Sequence, residues 1–124
     1  MSGHYLDVKH DTGIAYGDGF VQGDAECGSV MKLVGDDLFA VADDPAEPAF
    51  GILFKDVKSG EMPTIYTGGG VYETDNFTGT IQAGEKLKVH ATNHNLTNGV
   101  QAGEVVVAQA ITMSGGVLKF KLLV

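Results

Sequence analysis

The most regular alternation in the chain lies at its end. In "VLKFKLLV" (Val117 to Val124), Val117, Lys119 and Lys121 share one face of an extended strand, and Leu118, Phe120 and Leu122 share the other. Lysines then face water and the larger apolar residues face a core. "VVVAQAITM" (Val105 to Met113) precedes this run across Ser114-Gly115-Gly116, and the pair predicts a hairpin. A second hairpin is predicted where "SVMKLV" (Ser29 to Val34) and "LFAVA" (Leu38 to Ala42) flank Gly35-Asp36-Asp37. Between the two hairpins, "FGILF", "PTIYT", "VYETD" and "KLKVHAT" read as further strands, and "DDPAEPAF" as a loop. Glycine turns at Gly60-Glu61 and Gly84-Glu85 each introduce a new strand. Eighteen glycines interrupt the chain, and no long window keeps the helical period of about 3.6 residues. The expected fold is all-β: a small single-domain barrel or sandwich. The run to Val124 carries no polar tail, which predicts that this end lies in a sheet or at an interface.

The first residues follow a different pattern. Tyr5, Leu6, Val8, Ile14, Tyr16 and Phe20 stand singly amid glycine and charge, too sparse to build a core of their own. An extended N-terminal arm over residues 1–27, ordered on a partner, is expected ahead of a β-rich domain over residues 28–124. The competing reading packs these residues back onto their own domain.

A length of 124 residues suits one domain that buries roughly two-thirds of its unfolded surface. No apolar run approaches the span of about 18 residues that a membrane helix needs. "MSGHYLDVKHD" has neither the cationic nor the apolar region of a signal peptide, so a soluble protein made inside the cell is expected. Sixteen acids face eight lysines and there is no arginine, giving a net charge of −8. That balance argues against direct contact with nucleic acid, whose phosphates demand cations. The single cysteine, Cys27, has no internal disulfide partner and reads as a small buried residue.

No segment assembles a catalytic set. "GDGFVQG" (Gly17 to Gly23) has the wrong glycine spacing for a dinucleotide loop and no helix after it. Gly68-Gly69-Gly70 is followed by Val71-Tyr72-Glu73, not by the lysine and hydroxyl of a phosphate loop, and reads as a hairpin corner. His90 and His94 fall on a strand running into a turn, where their spacing fixes no metal geometry, and His4 and His10 lie in the N-terminal segment. Asp36-Asp37 and Asp43-Asp44 lack the alternating oxygen ligands of a calcium loop. "NFT" and "NLT" match the glycosylation sequon but read as chance turn sequences. No catalytic residue, metal or cofactor is assigned.

The segment "PAFGILFKDVKSGEMPTIYTGGGVYETDNF" resembles the core of the lambda-type phage head decoration, or capsid cement, proteins. The resemblance rests on Gly51-Ile52-Leu53, Ile65-Tyr66, Gly69-Gly70, Val71-Tyr72 and Asp75, with "VMKLVGDDLFAVADD" similar to the strand pair before them. It implies a β-tulip-like homotrimer on the outer surface of the virion head, made in the host cytoplasm. Such a protein bridges major capsid protein subunits and resists the pressure of packaged DNA, without touching nucleic acid or membrane. On that reading Tyr5, Leu6, Val8, Ile14 and Tyr16 are the capsid-binding residues of the arm. Phe50, Ile52, Ile65, Tyr66 and Tyr72 are then mostly core, with one or two at the trimer contact. The alternatives are a carbohydrate-binding or adhesion module of a tail fibre or spike, stacking sugars on tyrosines, and a small β-barrel hydrolase or isomerase with a pocket around His90 and His94.

Overall fold

The computed structural model describes residues 2–124, and these residues form thirteen strands and no helix. In chain order the strands are β1 (Leu6–His10), β2 (Ile14–Tyr16), β3 (Phe20–Val21), β4 (Val30–Gly35), β5 (Leu38–Val41), β6 (Gly51–Leu53) and β7 (Ile65–Thr67). They continue with β8 (Val71–Thr74), β9 (Phe77–Thr78), β10 (Lys86–Val89), β11 (Leu96–Thr97), β12 (Ala108–Ser114) and β13 (Val117–Leu122). One sheet has seven strands in the order β1-β8-β13-β12-β10-β11-β9, and the other has six in the order β2-β7-β6-β4-β5-β3. One of the two curls into a half-barrel. Both predicted hairpins form, β4 with β5 and β12 with β13.

Alternation explains how the sheets stack. Leu118, Phe120 and Leu122 of β13 point inward while Lys121 is exposed. They meet Val30 and Ile52 of the six-stranded sheet, and Ala42 just past the end of β5, in the main core. The neighbours Met31 and Leu53 point the other way, into a second cluster with Val21, Phe39 and Ile65. With both faces covered, β6 (Gly51-Ile52-Leu53) and the first two residues of β4 (Val30-Met31) are apolar throughout, as buried strands are.

The N-terminal segment differs from the expected arm. Strand β1 pairs with β8, β2 with β7, and β3 with β5. Residues 2–27 therefore supply three of the four sheet edges, and among the described residues their strands pair directly with those of residues 28–124. An edge strand needs one hydrogen-bonded neighbour and a single inward side chain, so sparse apolar residues suffice. Leu6 fills the main core and Val21 the second cluster.

The triple glycine also differs from expectation. Strand β7 before it and β8 after it belong to different sheets, so Gly68-Gly69-Gly70 is the crossover between them and not a hairpin corner. All three have positive φ, at 79°, 96° and 102°. A Cβ on Gly70 would stand 2.5 Å from the Tyr72 hydroxyl oxygen. The crossover also holds the chain's last residues: Gly68 N donates to the Val124 main-chain oxygen at 2.8 Å, and Leu122 N to Gly70 O at 2.9 Å.

Candidate interaction surface

The expected capsid-binding residues do not share one environment. Leu6 is 3% exposed and belongs to the core, so it offers nothing to a partner in this structure. Tyr5 is half-buried; its N–H donates to Asp75 Oδ1 at 3.1 Å, and its carbonyl accepts from Thr74 Oγ1 at 2.8 Å. Tyr16 lies edge-on to Phe39 and Phe50, at ring separations of 5.6 and 5.3 Å. Its hydroxyl donates to Asp37 Oδ1, and that bond pushes the phenol up to about 12. Val8 at 39% and Ile14 at 63% exposure are the members of the set that present apolar surface.

Ile52, Ile65 and Tyr72 are fully buried within the single chain, and Phe50 and Tyr66 pack half-buried against the two cores. An aromatic run passes from Phe54 through Tyr66 and Tyr72 to Phe120, with centroids 5.0 to 5.8 Å apart. The tyrosines thus serve internal packing and do not line up as a sugar platform.

Asp56 anchors the start of the chain. Its oxygens accept from Cys27 N at 2.8 Å, Ser2 N at 2.6 Å and Ser2 Oγ at 2.7 Å. These bonds, Cys27 N–H foremost, hold its carboxyl down at about 2. Two residues on, His4 Nδ1 meets Asp75 Oδ1 at 3.3 Å, and its Nε2 lies 3.9 Å from Glu26 Oε2. Ser2, His4, Glu26, Asp56 and Asp75 border an open cleft of about 900 Å³. Beside it the Cys27 thiol donates to Phe54 O at 2.9 Å and is pushed up to about 12 by burial and by Asp56. A thiol that stays protonated at neutral pH is no nucleophile.

The inner wall of this cleft holds residues of the two tripeptides that by sequence read as chance turns. The tripeptides Asn76-Phe77-Thr78 and Asn95-Leu96-Thr97 run parallel, pairing Phe77 with Leu96 and Thr78 with Thr97. Asn95 Nδ2 donates to Asn76 Oδ1 at 2.9 Å, and Asn76 Nδ2 to Cys27 O at 2.8 Å. Thr78 Oγ1 donates to Asn95 Oδ1 at 2.8 Å. Both asparagines are buried. The two sequon matches are therefore a structural amide ladder; the repeated N-x-T was the available signal. His90 Nδ1 accepts from the N–H groups of Thr92 and Asn93, and His94 Nδ1 donates to Ala42 O at 2.9 Å. Among the described residues, no group of three or more His, Cys, Asp or Glu is arranged to hold a metal ion. No helix there is long and apolar enough to cross a membrane.

Two packed β-sheets with a structural polar ladder make an all-β body, in a chain of net charge −8. The family model for phage cement proteins matches residues 1–118, and the chain belongs to that family. Comparison with curated proteins found no match. Cement proteins are structural components of the phage capsid, so this chain is a capsid decoration protein.

Proposed function

We propose that the protein binds the outer surface of the expanded head, bridges neighbouring major capsid protein subunits and stabilises the shell against internal DNA pressure, by binding and without catalysis. The match of the phage cement family over residues 1–118 carries this reading. The acidic, arginine-free composition supports an outward-facing position, away from the packaged genome. A homotrimer made in the host cytoplasm is the proposed form, with lattice repetition multiplying individually weak contacts. Val8 and Ile14, exposed on the edge strands β1 and β2, are proposed contacts, with Tyr5 contributing from the neighbouring turn. Each edge leaves unpaired backbone groups to which a partner strand can add.

The test is co-sedimentation of the purified protein with expanded heads that lack it. Pelleting at saturable stoichiometry, with heads made more resistant to heat or chelator, is the expected outcome. Protein that stays in the supernatant refutes the reading. Light scattering at several concentrations reads the oligomeric state.

A further inference from the structure

We infer that the tip of the β4–β5 hairpin, capped by β3, is a capsid-facing knob that inserts into an apolar depression with a cationic rim. This inference rests on the cement reading and names the surface that reading requires.

The tip gathers more exposed apolar surface than β1 and β2 do. Phe20 is 61% exposed, Leu33 54% and Val34 42%. Phe20 and Val34 are neighbours through the sheet: Phe20 lies opposite Leu38 in the parallel β3–β5 pair, and Leu38 lies opposite Gly35, next to Val34; Leu33 lies one step back along the hairpin, opposite Phe39. The β4–β5 register shifts between Leu33 and Gly35, and such a bulge turns the strand end out of the regular ladder. Rigid fixation distinguishes the tip from a loose loop. Phe20 N donates to Asp37 O at 3.0 Å, Gln22 N to Phe39 O at 2.7 Å, and the Tyr16 hydroxyl grips Asp37 from β2. Contiguous apolar side chains held in place at no internal benefit mark an interaction site.

Charge selects the partner. Asp18, Asp36 and Asp37 are exposed beside the apolar residues, and the hairpin's one lysine, Lys32, is tied to Asp43 at 2.8 Å and Glu47 at 3.2 Å. A second copy meeting tip to tip would set these aspartates against one another in a chain of net charge −8. A shell surface offering lysine or arginine around an apolar hollow complements the tip instead.

The experiment measures binding of wild type, a Phe20→Ser/Val34→Ser double variant and an Asp18→Asn/Asp36→Asn variant to expanded, undecorated heads at two salt concentrations. Phe20 and Val34 are exposed, so both variants should fold, and unchanged melting temperatures check this. Affinity is expected to fall by about tenfold or more on removing the apolar anchors. The Asp variant should bind more weakly at low salt and lose part of the wild-type salt dependence. If wild type pellets with heads and the folded Phe20/Val34 variant pellets equally well, the knob assignment fails while the cement reading stands. If wild type itself does not pellet, both fail. Loss of self-association by the double variant in sedimentation velocity, with head affinity unchanged, makes the tip a contact between copies and overturns the inference.

Discussion

Leu6→Ala tests whether the N-terminal segment is part of the folded body. In the structure Leu6 is 3% exposed, sits opposite Thr74 on β8 and joins the cluster containing Tyr72, Leu118 and Phe120. Truncating a buried leucine to alanine costs about 2–5 kcal/mol, from lost transfer energy plus the cavity left behind. An edge strand can relax toward the gap, which places Leu6 near the lower end, at about 2–3 kcal/mol. For a chain of this size each kcal/mol moves the melting temperature by about 3–5 °C, so the expected fall is about 6–15 °C. A leucine on a free arm would instead cost no more than about 0.5 kcal/mol. Val8→Ala, on the same strand but 39% exposed, is the control and should lose much less. Thermal unfolding by circular dichroism and urea titration give the two values independently, with an unchanged urea slope expected. A melting temperature within about 2 °C of wild type would refute the docked strand, because no buried leucine is that cheap to remove.

Three further outcomes follow from the cleft. Asp56, held at about 2, contributes stability that is complete above the unfolded carboxyl value of about 3.9 and disappears as pH falls toward 2. After allowance for solvent screening this amounts to about 1 kcal/mol, so the stability gap between wild type and Asp56→Asn, read by urea titration, should narrow between about pH 5 and pH 2. Cys27 should resist thiol reagents in native protein at pH 8 and react fully in denaturant, read spectrophotometrically; rapid native labelling would contradict the buried thiol. Asn76→Leu strips the partners from Cys27 O and Asn95 Nδ2, and urea unfolding should show a loss of about 2–4 kcal/mol.

The hairpins were legible because their signals are local. Turn residues at Gly35-Asp36-Asp37 and Ser114-Gly115-Gly116, with alternating runs on either side, fix neighbouring strands without reference to the rest of the chain. Strands β9 and β11, two residues each, carry no such signal. They depend on Asn76 and Asn95 meeting across 19 residues of chain, where Asn95 Nδ2 donates to Asn76 Oδ1. The expected surface set failed at Leu6 for the same reason: isolation in sequence says nothing about depth in the fold. Phe20 shows the converse. It belongs to the same sparse segment, yet its exposure gains meaning only beside Val34 and Leu38, which the parallel β3–β5 pairing brings to it.

The sequence alone determined the fold class, the inward and outward faces of β13, the acidic character, and enough of the central strands to resemble the family to which the chain belongs. All of these depend on composition or on residues close together along the chain. Tertiary structure decided the fate of residues 2–27 and the path of the triple glycine, which carries the chain between sheets. Edge pairing and sheet crossover are contacts between distant segments, made through backbone groups that every residue possesses. Such contacts leave almost no mark in side-chain pattern, so only the assembled sheets reveal which edges are filled and which apolar residues remain outside.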